Sequence, residues 1–205
     1  MKRIILASLL LTAMTADAQS PRLLILNKEE GTLHIVDPAT GKLLGKSTTG
    51  AGPHEVVVSA DGRLAFTSNY GTGQAPGRTL SVIDLKTQKE LQRVDLGPLA
   101  RPHGLWWAND RVYFTAEANR SIARYDPAAN SVDWQFETGH EVTHMILLTR
   151  DGRTIVTTNI ASDTVSLIEQ DAGGNWAQTV VKVGRGPEGM DLSPDGAQLW
   201  VAHSR

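Results

Sequence analysis

Apolar residues fall in short runs along this chain, each closed by a cluster of Gly, Pro, Asp, Asn or Ser. The clearest stretch is Gly52 to Asn69, GPHEVVVSADGRLAFTSN. Val56, Val57 and Val58 form an apolar run, Ser59-Ala60-Asp61-Gly62 is a turn, and Arg63 to Asn69 is the return strand. The Asp-Gly pair supplies a residue that tolerates a positive φ, which marks a hairpin. The same pattern is written again from Arg101 to Glu117, from Val142 to Asn159 and from Gly186 to His203. Aligned on the residue after Gly-Pro or its equivalent, His54, His103, His144 and Glu188 fall in register at spacings of 49, 41 and 44 residues. Asp61, Asp151 and Asp195 each lie seven residues further on. In the second copy the turn reads one residue shorter, with Asn109-Asp110 in its place. A second landmark follows in each unit: IVDPATGK from Ile35, VIDLKTQK from Val82, RYDPAANS from Arg124 and LIEQDAGGN from Leu167. Asp37, Asp84, Asp126 and Glu169 are its acidic marks.

Each unit reads as four short strands. In the second unit these are Glu55–Val58, Arg63–Ser68, Thr79–Asp84 and Glu90–Leu96. No window sustains a 3.6-residue apolar period, so almost no helix is expected. A four-stranded unit recurring every ~40–50 residues is the mark of a β-propeller blade. One blade cannot cover both faces of its own sheet, and stacking blades around an axis does so. The fold class is therefore all-β, a propeller of four-stranded antiparallel blades with about four to five blades in this chain. The first unit starts at Arg22 on a second strand, and the last stops at Arg205 after two strands. Those ends could combine to close four blades. A chain incomplete at its C-terminus accounts better for the count, since four is the low end of the blade range.

Composition changes this picture in two ways. Residues 1–18 are set aside as a signal peptide: Lys2 and Arg3 form a basic n-region, Ile4 to Met14 an apolar run, and Ala16-Asp17-Ala18 an A-x-A cleavage site. Export to a periplasm or secretion is expected, with a single propeller domain over residues 19–205 and no membrane anchor after cleavage, because the run is too short to span a bilayer. The chain has no cysteine, so the exported fold must be held by its core. Removal of residues 1–18 leaves 18 basic residues against 21 acidic ones. With no run of Lys or Arg, nothing favours nucleic acid as a partner.

The units resemble the YVTN-type β-propeller repeat, a G-P-H-G-x-A-V-S-P-D-G-R tract running into Y-V-T-N and then V-x-V-I-D-x-x-T-G. GPHEVVVSADGRLAFTSN with TLSVIDLKTQ, GPEGMDLSPDGAQLWVA and TRDGRTIVTTNIASDTVSLIE carry the likeness, which covers everything after about residue 22. It implies an exported propeller similar to YncE-like and lactonase-like proteins, seven-bladed and monomeric at full length. Such a protein needs ~300 residues, so the likeness implies that this sequence is an N-terminal fragment. It is specific for fold and weak for activity.

In a propeller the first strand of each blade lines the channel. That places His54, His103, His144 and Glu188 at one mouth. The ends of the second strands approach the same face with Asn27, Asn69, Glu117, Asn159 and His203. His54, Asn69, His103, Glu117, His144, Asn159, Glu188 and His203 are thus the candidate ligand-binding residues. Imidazole, carboxylate and amide oxygen suit a cation, and His103, Glu117, His144, Asn159 and Glu188 could hold one divalent metal ion. The first expectation is a small ligand, ion or protein partner bound at the mouth. The alternative is a metal-assisted, lactonase-like hydrolase with His103 or His144 as base. Gluconolactonase-type propellers are similar in placing a carboxylate- and Asn-bound metal there, although their local motifs are missing here. For any single one of these histidines, a structural hydrogen bond is the competing explanation.

Tyr70 to Arg78, YGTGQAPGR, reads as a flexible loop rather than a strand, overhanging the same face as a substrate lip or partner contact. Trp106, Trp107, Trp134, Trp176 and Trp200 are expected in the core, and His34 as structural. His140 lies in a loop from which it could reach the mouth. With no Gly-x-Ser-x-Gly elbow and no Cys, covalent acyl catalysis has no visible nucleophile.

Overall fold

A computed structural model describes residues 20–205, so the signal-peptide reading of residues 1–18 lies outside the described residues. The chain forms five antiparallel sheets in succession. The first has three strands: β1 (Leu23–Asn27), β2 (Thr32–Val36) and β3 (Leu43–Thr48). The second has β4 (Pro53–Val58), β5 (Leu64–Gly71), β6 (Pro76–Asp84) and β7 (Lys89–Asp95). The third has β8 (Pro102–Ala108), β9 (Arg111–Ala116), β10 (Ser121–Asp126) and β11 (Ser131–Glu137). The fourth has β12 (Thr143–Leu148), β13 (Thr154–Asn159), β14 (Thr164–Gln170) and β15 (Trp176–Lys182). The fifth has β16 (Pro187–Leu192) and β17 (Leu199–His203). Helix is confined, among the described residues, to two single 3₁₀ turns, Glu117–Asn119 and Ile160–Ser162. This is a partial β-propeller, with the expected missing first strand in the first unit and two strands in the last.

The blades pack face to face. Phe66, Leu80 and Val82 of the second sheet meet Leu105, Val112, Phe114 and Tyr125 of the third in one buried cluster. Tyr113 and Ile122 meet Ile146, Ile155 and Ile168 in the next. Strand alternation explains why neighbouring residues such as Tyr113 and Phe114 serve different interfaces: successive side chains point to opposite faces. Trp107 stacks on Phe66 at 5.4 Å, and Trp134 meets Trp176 at 4.9 Å. Trp200 departs from expectation. It occupies the position of Phe66 but is 66% exposed, because no sheet covers that face of β17 among the described residues.

The innermost strands lie side by side around the axis, β4 against β8, β8 against β12 and β12 against β16. Each carries the same irregularity. The register slips between Pro53 and Val56, Pro102 and Leu105, Thr143 and Ile146, and Pro187 and Met190. Every inner strand therefore has a β-bulge at the aligned His or Glu. A bulge re-aims a side chain and leaves a ladder N–H unpaired. A hydroxyl from the second strand accepts that proton: Glu55 N–H donates to Ser68 Oγ, Gly104 N–H to Thr115 Oγ1 and Met145 N–H to Thr158 Oγ1, at 2.9–3.2 Å. The same threonines donate onward to the next blade, Thr115 to the His144 carbonyl at 2.7 Å and Thr158 to the Glu188 carbonyl at 2.9 Å.

The turns hold as expected, with three corrections. Asp61 Oδ1 accepts from Ser59 Oγ and the Arg63 N–H, and these bonds, Ser59 first, hold its carboxyl below the usual range. Asp151 and Asp195 repeat the arrangement. In the third blade, Asn109 and Asp110 both take positive φ, as a two-residue hairpin turn requires, and Ala108 pairs Arg111. The hairpin is therefore two residues shorter than its counterparts rather than one. Glu169 of the fourth unit keeps the register of Asp84, opposite Thr154 as Asp84 is opposite Leu64, but the turn there is capped by Asp171, which accepts from the Gly173 and Asn175 N–H groups. Tyr70 to Arg78 is not a loose loop: β5 and β6 extend to pair Gly71 with Pro76. A Cβ at Gly71 would sit 2.1 Å from the Gly77 nitrogen, so only glycine lets the two backbones approach this closely.

Gly104 sits in the β8 bulge, where a Cβ would lie 2.6 Å from the His144 oxygen and 2.8 Å from the Met145 Cα. Both are backbone atoms of the neighbouring inner strand and cannot rotate away. Gly104→Ala is expected to destabilise the protein by about 1–3 kcal/mol, read as a lowered urea midpoint.

Candidate functional site at the channel mouth

The bulges bring three imidazoles into a stack. His54 and His103 have ring centroids 3.9 Å apart, and His103 and His144 are 3.8 Å apart. Tyr70, at the end of β5, stands beside them, its ring 5.6 Å from both His54 and His103. Glu117 completes the group from the 3₁₀ turn after β9. Its Oε2 accepts from Tyr70 OH at 2.6 Å, and its Oε1 lies 2.5 Å from His144 Nδ1. Glu117 is 8% exposed, so both bonds run in a poorly solvated setting where charge-assisted contacts are strong. The chain Tyr70–Glu117–His144 crosses three blades and fixes the His144 ring. Its Nε2 lies 3.9 Å from Glu188 Oε1. A cavity of about 360 Å³ opens on the group, lined by His54, Glu55, His103, His144, Glu188 and His203.

His103 is the centre of the stack and is 3% exposed. Its Nδ1 is buried without a hydrogen-bond partner, as is His54 Nδ1. Burial, with the neighbouring His144, His54 and Lys28 adding to it, pushes the His103 pKa down to about 2. The ring is therefore neutral and keeps a lone pair available across the physiological range. Burial, and secondarily the Glu117 carboxylate, raises the Tyr70 phenol to about 12, so Tyr70 remains a donor to Glu117.

The structure thus brings together His54, His103, Glu117 and His144, with Glu188 and His203 on the wall of the same cavity. It does not bring Asn69 and Asn159 to them. Asn69 is buried; its amide donates to Thr79 and Ser81, and its Oδ1 accepts from the Gly50 N–H of the preceding connection. Asn159 donates to Thr164 and Ser166 and accepts from Thr143. Asn27 likewise donates to Thr32. These amides tie each second strand to its third. Glu117 does not share their position: Pro102 pairs with Ala116 where Pro53 pairs with Asn69, so Glu117 matches Tyr70. The backbone of His140 is bound to Thr138 and Thr143 within its own loop. Within the described residues, two sets of potential metal donors lie within 4.8 Å, His54–Glu55–His103 and His103–Glu117–His144. Tyr70 and Glu55 are the members that sequence reasoning missed. Tyr70 was hidden in a glycine-rich stretch, although its place directly after Asn69 put it at the mouth.

The unfolded chain takes up a proton on His103 near the ordinary histidine value of ~6.5, whereas the folded state does not until about pH 2. The stability this group contributes is complete above that unfolded value and is lost progressively as pH falls from it toward the folded value. In chelator-containing buffer, the urea midpoint is expected to drop from pH 7 to pH 5, with a slope of up to ~1.4 kcal/mol per pH unit from this residue. His103→Phe is expected to flatten that slope.

The chain's likeness to known proteins can be set beside this geometry. A family profile described as outer membrane protein assembly factor BamB matches residues 29–200. No curated protein matches the chain significantly. Among solved structures, hydrazine synthase of Kuenenia stuttgartiensis superposes with a TM-score of 0.75 at 21% identity, covering 89% of this chain and 52% of that one. Virginiamycin B lyase of Staphylococcus aureus gives 0.72 at 17% identity, covering 91% and 61%. A candidate 6-phosphogluconolactonase of Bacteroides uniformis gives 0.70 at 16% identity, covering 90% and 61%. The chain spans between 52% and 61% of the length of these three structures, and identities this low establish the fold alone. No helix among the described residues is long and apolar enough to cross a membrane. The family match extends over nearly all the described residues and the repeats it spans are the blades themselves, so the chain belongs to the outer membrane protein assembly factor BamB family.

Proposed function

We propose that this chain is part of an exported, YVTN-type propeller whose channel mouth takes up a divalent transition-metal ion on the imidazoles of His103 and His144, with His54 stacked beside them. One observation carries the reading: His103 is held neutral and buried at the centre of a three-ring stack, with a ring nitrogen that nothing in the protein satisfies. A buried, unpartnered polar atom costs free energy, and an imidazole lone pair is the common ligand for such ions. Glu117 serves as the carboxylate that orients His144, in the manner of a group standing behind a metal-bound histidine. Glu188 lies at the rim beside His144. Asn159, with its amide fully engaged, drops out of the ligand set. The n-region, apolar run and A-x-A site of residues 1–18 support export. The family's description as an outer-membrane assembly factor accords with a periplasmic location.

A second reading has its own observation. The 2.5 Å contact of Glu117 with His144 is the carboxylate–imidazole pairing that holds a general base in one tautomer. His144 Nε2 then faces the cavity and could take a proton from water. A bound ion would supply Lewis acidity toward a carbonyl. This is the metal-assisted, lactonase-like hydrolase.

The experiment is metal analysis of the purified full chain and calorimetric titration with Zn²⁺, Ni²⁺ and Cu²⁺. Stoichiometric binding, lost in His103→Phe and weakened in Glu117→Gln, is expected. Absence of stoichiometric binding of any of the three would sink the metal site. Lactone turnover that is unchanged in His144→Ala would end the hydrolase reading.

A further inference from the structure

We infer that a second site, for a small anion bearing a carboxylate or phosphate, lies in the cleft between the first and second sheets. The cleft has a volume of about 830 Å³, within the range of small-molecule sites. It is bounded by the β1–β2 turn from Lys28, by the connection through Gly50, and by the tip of the extended β5–β6 hairpin from Tyr70 to Gln74. None of the three ring histidines lines it.

Two cations converge there on one aromatic ring. Lys28 Nζ lies 5.5 Å and Arg101 Cζ 4.9 Å from the centroid of Tyr70. The Arg101 guanidinium is held by a bond from Nη2 to the Thr72 carbonyl at 3.3 Å. Among the described residues neither cation forms a salt bridge with a carboxylate, whereas Glu30, on the same wall, is paired with Lys46 at 3.2 Å. Glu29 is the remaining acid of the lining. Two unpaired like charges beside one ring repel, and an anion between them turns that repulsion into attraction. Arg supplies a planar fork suited to carboxylate or phosphate, and Lys a mobile point charge. Tyr70 is a fixed floor, since its hydroxyl is bonded to Glu117. The Tyr70 ring stands 5.6 Å from His54 and His103, so the anion would sit alongside the imidazole stack without using it.

The test is calorimetric titration of the full chain with inorganic phosphate and with citrate, and with glucose as the neutral control. Saturable binding of at least one anion, weakened by added salt, is expected. The Lys28→Ala/Arg101→Ala double variant should bind at least about tenfold more weakly while its circular dichroism and cooperative melting show that it is still folded. Arg101→Lys, which keeps the charge and loses the fork, should fall between. His103→Phe should lose metal and retain the anion, which separates failure of this inference from failure of the metal site. Absence of saturable binding of both anions, equal binding of glucose, or wild-type affinity in the double variant would overturn it. If phosphate alone binds, the site is one for phosphate esters; if citrate alone binds, one for carboxylates.

Discussion

A bulge in a sheet exposes a backbone donor that must be satisfied, and this one requirement shapes the channel of the propeller. Each inner strand turns out of register where its His or Glu is presented. The resulting N–H would be a buried orphan but for a hydroxyl at a single position of the neighbouring strand, Ser68, Thr115 or Thr158. In Thr115 and Thr158 that hydroxyl has its own proton to place, and it goes to the carbonyl of the next blade's bulge. One side chain thus satisfies a donor within its sheet and an acceptor in the next. The spacing of His103 and His144 follows from this link, since Thr115 joins the two backbones that carry them.

The electrostatics follow from the packing in turn. Histidines 3.8 Å apart cannot all be charged without strong repulsion, and the stack is buried by the blades on either side. The central ring is accordingly neutral. Its neighbour His144 is treated differently, being bound to a carboxylate that also receives a phenol proton. Two rings in contact, one bonded to a carboxylate and one whose Nδ1 has no hydrogen-bond partner, have environments that favour different chemistry. That asymmetry arises from Glu117, which stands where the second blade has Tyr70 and the fourth Ile160, so the repeat is broken at the point where a site needs unlike groups.

The blades were legible in sequence because their signals are local: alternating apolar residues, Asp-Gly turns and a recurring Gly-Pro or Pro-His entry to the inner strand. The imidazole stack was legible for the same reason, as residues at one register position of a repeat meet around the axis. What was not legible depended on pairing. The glycines of Tyr70 to Arg78 looked like those of a loop, whereas they permit a tight extension of the hairpin. Asn69 and Asn159 are polar residues at strand ends, yet their amides turn inward, because the Thr and Ser of the third strands lie opposite. The misplacement of Glu117 came from a turn two residues shorter than its counterparts. Its bonds to Tyr70 and His144 span 47 and 27 residues, and no local pattern announces contacts of that range.

The Thr115 hydroxyl has a consequence for how such a chain can grow. Because it serves the bulge of its own sheet and the carbonyl of the sheet that follows, a blade copied by gene duplication arrives already equipped to bond its parent. The copy needs no new residue at the seam, only a bulge at the same register. At Ala202, the matching position beside the β16 bulge, there is no side-chain hydroxyl to make such a bond.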